Sequence, residues 1–328
     1  MAEKQLILAV DDEAGNLQLL HQILGDDYRL LLAKDGERAL ALARDKRPAL
    51  ILLDVVMPGL GGYEICERLK ADPATAAIPV VFVTSMGDTD DELRGFRCGA
   101  VDYISKPVSP PIVQARVRTH LSLVRAEELL TSRLEFMQRL GRAAEYKDNE
   151  TGTHVLRMSH YARLLALAAG LGEEVADELL HAAPLHDVGK IGIPDHILLK
   201  PGKLDADEWK IMQTHAAIGA DIIGEHPSGM LRLAHRVALE HHEKYDGSGY
   251  PNGLVGEQID ITARIVAIAD VFDALTSSRP YKQAWPLEQV IAYLLEQRGK
   301  HFDPHLVELF MDLLPEVDLI RRRWQDTH

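Results

Sequence analysis

Histidine followed by aspartate at 186–187, with Lys190 one helical turn further on, is the densest piece of potential chemistry in the chain. Adjacent helical residues diverge by about 100°, so this imidazole and carboxylate can line two sides of one pocket but cannot close a metal shell alone. Further donors recur along apolar, helix-patterned sequence: Glu150, His154, His215, His241, His242 and Asp270. A helical bundle gathers a multinuclear site in this way, taking one or two ligands from each helix. Glu150 and His154 are four apart and share a helix face. Eight donors exceed what a single ion uses, and mixed imidazole and carboxylate ligation suits Fe, Mn, Zn or Ni better than Mg or Ca. Paired ions of that kind supply a nucleophilic water at neutral pH and Lewis-acid charge for a phosphoryl group.

A second constellation lies near the N-terminus. Short apolar runs end in chemistry-bearing residues: Leu6 to Val10 in Asp11-Asp12, Ala49 to Leu53 in Asp54, Val80 to Val83 in Thr84-Ser85, and Val101 to Ile104 in the approach to Lys106-Pro107. Between them lie segments of helical period, such as Leu17, Leu20 and Leu24. Strands alternating with helices predict a doubly wound α/β domain with a parallel sheet, here of five strands, and such sheets collect ligands at the carboxyl ends of their strands. Three carboxylates held there repel one another unless a cation sits among them, and hard oxygen ligands suit Mg²⁺. One of the carboxylates can then accept a phosphoryl group that the ion and Lys106 hold.

At 328 residues the chain is long for one core, and of its 15 histidines only His21 and His120 precede residue 150. Two domains with separate chemistry are expected: residues 1–124, a helical connector at 125–144, and an all-α bundle at 145–328. From Ile112 to Tyr146 apolar residues recur every three or four positions without Pro, which predicts one long amphipathic helix. Homodimerisation along that helix and packing against the chain's own second domain are both open, and Glu127-Glu128 and Thr131 interrupt a strict heptad seam. A net charge of -14 argues against nucleic acid as a partner. No apolar run reaches the length of a membrane span, and the two cysteines form no disulfide framework. No membrane association and a cytoplasmic location are the expectations.

The first 120 or so residues resemble the receiver domain of two-component response regulators, through Val-Asp-Asp-Glu at 10–13, Leu-Asp-Val-Val-Met-Pro-Gly at 53–59 and Ser-Lys-Pro at 105–107. The resemblance implies that Asp54 accepts phosphate from a sensor histidine kinase. Asp11, Asp12 and Asp54 would hold Mg²⁺, Lys106 would contact the phosphoryl group, and Thr84 and Tyr103 would move together to report it. The second half resembles the HD-GYP family of cyclic di-GMP phosphodiesterases. The motifs are His-Asp-Val-Gly-Lys-Ile-Gly-Ile-Pro-Asp at 186–195, His-His-Glu-Lys-Tyr-Asp-Gly-Ser-Gly-Tyr-Pro at 241–251, and Ala-Asp-Val-Phe-Asp-Ala-Leu-Thr-Ser-Ser-Arg-Pro-Tyr-Lys at 269–282.

Carried over position by position, this second resemblance implies metal ligands at Glu150, His154, His186, Asp187, His215, His241, His242 and Asp270. Two or three transition-metal ions would bind there, Fe first and Mn, Ni or Zn as alternatives, and a carboxylate at Glu150 is similar to members that hold three. Asp187 and Lys190 would serve catalysis, and Lys190, Arg279 and Lys282 would meet substrate phosphates. Tyr250 lies in the signature loop. The implied output is hydrolysis of cyclic di-GMP to linear pGpG and then GMP, modulated by phosphorylation of Asp54. The rivals are hydrolysis of another cyclic dinucleotide, and a phosphorylation-gated interaction module that binds a diguanylate cyclase.

Overall fold

The computed structural model describes residues 4–85, 89–148, 152–227, 229–277 and 283–324. The chain divides into two compact units, Met1–Thr131 and Ser132–His328.

The first unit contains the expected parallel sheet. Its strands β1 (Leu6–Val10), β2 (Arg29–Ala33), β3 (Leu50–Asp54), β4 (Val80–Thr84) and β5 (Asp102–Ser105) run in the order β2-β1-β3-β4-β5. Helices α1 (Ala14–Leu24), α2 (Gly36–Lys46), α3 (Gly62–Ala71), α4 (Thr89–Arg97) and the start of α5 (Pro110–Lys147) separate or follow the strands. Side chains alternate across the pleat. Leu8, Val10, Ile51, Leu53, Val80 and Phe82 join one apolar core with α2 and α3. Ile7, Ala9, Leu50, Leu52, Val81 and Val83 join the other, with α1 and with Val113, Val117 and Leu121 of α5. Both faces being covered, the central strands are apolar at nearly every position. The first polar residue at each carboxyl end therefore falls at the rim, where β1 and β3 diverge to opposite neighbours and leave a crevice.

The second unit is built of helices around one large core. In chain order these are the end of α5, α6 (Gly152–Ala168), α7 (Gly172–Ala182), α8 (Asp195–Leu198), α9 (Ala206–Gln213), α10 (His215–Ile223), α11 (Gly229–Glu240), α12 (Ile261–Thr276), α13 (Leu287–Glu296), α14 (Pro304–Asp312) and α15 (Leu314–Arg323). Tyr161 and Phe272 meet edge to face at 5.5 Å and Phe272 meets Phe310 at 5.0 Å, locking α6, α12 and α14 together. Among the described residues no helix is long and apolar enough to cross a membrane.

One local expectation needs correction. His186 and Asp187 do not lie on an α-helix but in a turn between two 3₁₀ segments, Ala183–Leu185 and Val188–Gly192. Pro184, Gly189 and Gly192 explain the break. A Cβ on Gly189 would stand 1.9 Å from the His215 carbonyl oxygen and 2.4 Å from the Gly219 nitrogen. Only glycine lets the 3₁₀ segment press against α10, and this approach brings Asp187 to His215.

Candidate functional site

In the first unit, a cleft of about 650 Å³ at the strand ends is lined by Asp11, Asp12, Asn16, Asp54 and Lys106, among others. Oxygens of Asp11, Asp12 and Asp54 lie within 4.8 Å of one another. Lys106 donates to Asp11 Oδ2 at 2.8 Å and to Asp54 Oδ2 at 2.7 Å. Burial raises the Asp54 carboxyl above its ordinary value, against the opposing pull of Lys106. Thr84 ends β4 and is buried, and Tyr103 on neighbouring β5 is half-buried.

In the second unit the donors converge from five elements. One atom each from Asp187, His215, His241 and His242 lie within 4.8 Å of one another, as do atoms of His154, His186 and Asp270. Asp187 joins the two groups. Its Oδ1 is 3.1 Å from His215 Nε2 and 3.4 Å from His241 Nε2, and its Oδ2 is 3.2 Å from His186 Nε2. These contacts are close but misaligned: His186 Nε2, His215 Nε2, His241 Nε2 and Asp187 Oδ1 are buried and make no hydrogen bond. Four buried polar atoms gathered about the Asp187 carboxylate without hydrogen-bond partners fit cations held beside it, since bare burial would cost each about 1–3 kcal/mol.

The backbone fixes which nitrogen faces that point. His186 Nδ1 donates to the Ala183 carbonyl at 3.0 Å, His215 Nδ1 to Met212 at 2.7 Å, and His241 Nδ1 to Val237 at 2.9 Å. A carbonyl only accepts, so each Nδ1 carries the hydrogen and each Nε2 keeps a lone pair for a ligand. Burial lowers His241 and His242, holding them neutral. Burial also favours neutral His186, yet Asp187, Asp270 and Glu145 together outweigh it and raise this ring to about 9. That rise reflects the pocket's demand for positive charge. Asp187 and Asp270 stay ionised despite burial, held well below the usual carboxylate range, Asp187 mainly by Lys190 and His186 and Asp270 mainly by His154 and His186.

His154 Nε2 lies 3.3 Å from Asp270 Oδ1, and its Nδ1 is 2.8 Å from Asp273 Oδ2. Asp273 is fully buried and gripped by Arg157, whose Nε and Nη2 donate to its two oxygens at 2.8 Å. Such a carboxylate behind a ligand imidazole sets ring orientation and basicity. Lys190 Nζ sits 2.6 Å from Asp148 Oδ2 and 2.8 Å from Asp187 Oδ2. Lys147 donates to the carbonyls of Ile191 and Ile193 at 2.8 Å, tying the end of α5 to the segment that carries Lys190.

The loop after α11 closes one side. Its Tyr250 ring lies 4.8 Å from that of His242 and 6.1 Å from that of half-exposed Trp209. Buried Glu243 pins the loop, accepting from the backbone of Asn252 at 2.7 Å and of Leu254 at 3.0 Å. Gly247 takes φ +82° to make the turn, and a Cβ on Gly249 would strike the Lys244 nitrogen at 2.2 Å. Glu150, Arg279 and Lys282 lie outside the described residues.

A family model described as "HD domain" matches residues 126–306, and one described as "Response regulator receiver domain" matches residues 7–118. The chain belongs to the HD-domain response regulators. Across 93% of its length it is 40% identical to the "Cyclic di-GMP phosphodiesterase response regulator RpfG" of Xanthomonas campestris, of which it covers 86%. A "Cyclic di-GMP phosphodiesterase" of Thermotoga maritima is 35% identical over 98% of this chain and 93% of its own length. Over 58% of this chain and 37% of the other, identity reaches 49% with a "3'3'-cGAMP-specific phosphodiesterase 2" of Vibrio cholerae.

Residue types and motifs did not single out Glu145, Asp148, Arg157 or Asp273. Spacing held a signal for two of these: Arg157 follows His154 by three and Asp273 follows Asp270 by three, each on the helix face of a ligand-type residue. Glu145 and Asp148 sit in the run Glu145-Tyr146-Lys147-Asp148, which reads as a solvated helix end.

Proposed function

We propose that this response regulator hydrolyses a 3',5'-phosphodiester bond of cyclic di-GMP, giving linear pGpG and, by a second cut, GMP, under the control of phosphorylation at Asp54. The observation that carries the catalytic reading is the set of three imidazole Nε2 atoms and one Asp187 oxygen, buried and without hydrogen-bond partners on the two sides of the Asp187 carboxylate. The names of relatives 35–40% identical over most of the chain support the substrate.

Glu150, His154, His186, Asp187, His215, His241, His242 and Asp270 would hold two or three transition-metal ions, with Fe preferred and Mn, Ni or Zn as alternatives. When bound, these would supply Lewis-acid charge and a nucleophilic water at neutral pH. The chain's own part is positional. Asp187 presents one oxygen to each donor group and so keeps them at a set spacing. Lys190, held by Asp148 and Asp187, offers a cation beside the reacting phosphate, where charge develops on the phosphoryl oxygens. Arg279 and Lys282 would join Lys190 in meeting the substrate phosphates, and Tyr250 with its pinned loop would wall the nucleotide in. In the balanced step a water oxygen bonds to phosphorus, the bond from phosphorus to the 3' oxygen breaks, and that oxygen leaves with a proton.

In the receiver, taken as residues 1–124 with a connector at 125–144 ahead of the catalytic residues 145–328, Asp54 would take phosphate from a sensor histidine kinase. Mg²⁺ on Asp11, Asp12 and Asp54 would assist it, Lys106 would hold the phosphoryl oxygens, and Thr84 and Tyr103 would report the change. A homodimer and a diguanylate cyclase partner are further proposals, and the site of action would be the cytoplasm.

A second reading has its own support: over 58% of the chain, identity reaches 49% with a phosphodiesterase named as specific for 3'3'-cGAMP. The deciding experiment incubates anaerobically purified, metal-counted protein with each cyclic dinucleotide beside Asp187→Ala. Linear pGpG from wild type alone supports the proposal, and a preference for 3'3'-cGAMP in competition moves the substrate to the second reading. Absence of product across Fe, Mn and Ni loading, with the receiver free and phosphorylated, would sink both and favour the interaction module.

A further inference from the structure

Glu145 lies in the last turn of α5 and is 1% exposed. Both of its carboxylate oxygens are buried, and neither finds a hydrogen-bond partner. One of them lies within 4.8 Å of ligand atoms of His186 and Asp187, which are themselves within that distance of each other. A bare buried carboxylate costs several kcal/mol, so a fold that keeps one aimed into a polar pocket has a use for its charge. Lys190, whose charge acts on Glu145, is hydrogen-bonded and ion-paired to Asp148 and ion-paired to Asp187.

The two donor groups differ in composition. One offers three imidazoles and Asp187, while the other offers His154, His186 and Asp270. With Glu145 added and Asp187 shared, the second group becomes richer in carboxylate than in imidazole. Nitrogen-rich and oxygen-rich positions select differently among divalent ions, and the oxygen-rich one suits Mn or Fe better than Zn.

We infer that Glu145 is a ligand of the ion held by His186 and Asp187, making the centre chemically asymmetric, with one nitrogen-rich and one carboxylate-rich position. This rests on the metal-centre reading above. Neither the sequence motifs nor the relatives' names assign this residue.

The test counts metal in full-length wild type and Glu145→Gln after loading with Mn²⁺, and records the electron paramagnetic resonance spectrum of each. The expected result is a loss of about one ion per chain in Glu145→Gln, or binding at that position weaker by at least about tenfold, with isolated Mn²⁺ replacing a spin-coupled signal. Equal stoichiometry and the same coupled spectrum in both would overturn the assignment while leaving the metal centre intact. A wild type that binds no Mn, Fe, Ni or Zn would instead defeat the reading on which it rests. If Glu145→Gln does not fold, Glu145→Met decides. Removing a buried carboxylate that makes no hydrogen bond should leave the metal-free protein at least as heat-stable as metal-free wild type, whereas a less stable metal-free variant would make Glu145 a structural group and overturn the proposal.

Discussion

In the receiver cleft, Asp11 and Asp54 are already bridged by Lys106 at 2.8 and 2.7 Å, whereas around Asp187 three imidazoles come almost as close without aligning a hydrogen bond. The first site carries its own cation and is acidic, oxygen-only and open to a cleft at the sheet rim. The second is buried, mostly imidazole, and has its lone pairs preset by backbone carbonyls. A site balanced by a lysine can gain and lose an ion, as a phosphorylation pocket must. One whose donor atoms are otherwise unsatisfied is arranged for an ion that stays.

Removing metal should therefore separate the two units more than any substitution. A ligand that binds only the folded state stabilises it by RT ln(1 + [L]/Kd), about 4 kcal/mol at a thousandfold excess. Chelation is expected to lower the unfolding temperature of the helical unit by many degrees and leave the receiver transition in place. Differential scanning calorimetry of the full chain reads both, and a common shift of the two would break the contrast.

Gly189→Ala comes next. The new Cβ would meet the His215 carbonyl at 1.9 Å, a backbone atom that cannot swing aside. Overpacking typically costs about 1–3 kcal/mol, and a clash with fixed backbone falls at the upper end of that range. A fall of several degrees in the helical unit's unfolding temperature is expected, together with lost metal binding, because His215 and Asp187 are forced apart. A variant that keeps full metal content would show that the close approach serves packing alone.

Asp273→Asn is milder, since the side chain keeps its shape and one acceptor for Arg157. It gives up the charge behind His154, and loss of such a group costs about 10–100-fold in metal affinity, about 1.4–2.7 kcal/mol. Metal titration should find this weakening with the fold intact by circular dichroism. An unchanged affinity would reduce the pair Arg157 and Asp273 to a structural buttress of α6 and α12.

The contrast also explains what was legible beforehand. Strand ends in the receiver could be read because a doubly covered sheet is apolar at almost every position, so the first Asp or Thr marks the rim. β2 was less plain: Arg29-Leu30-Leu31-Leu32-Ala33 has no alternation that separates strand from helix. In the helical unit the histidines and Asp187 announced themselves by motif. The orientation of each ring did not, because it is set by the carbonyls of Ala183, Met212 and Val237, and every residue has a carbonyl. Glu145 was hidden for a different reason. Its burial arises from tertiary packing at the end of a helix whose neighbours Arg142, Ala143 and Tyr146 are exposed. A carboxylate beside a lysine in such a run carries no local sign that it turns inward.

The smallest expected effect returns to the receiver and fixes a sign. Burial raises the Asp54 carboxyl above its ordinary value, so the folded state binds its proton more readily than the unfolded chain does. Ionising Asp54 therefore opposes folding: the cost is complete above the raised value and disappears as pH falls below the unfolded value, about 3.9. Asp54→Asn removes that cost along with the proposed phosphoacceptor. At pH 7 the variant's receiver should unfold at a slightly higher temperature than wild type, and the gap should close as pH falls through the carboxylate range. Added Mg²⁺ should narrow the gap too, because a cation beside the buried carboxylate offsets the same cost in wild type. A lower unfolding temperature at pH 7 would mean that the bridge from Lys106 to Asp54 outweighs the desolvation of Asp54. The receiver pocket would then be tied together by that contact and no longer merely balanced by it.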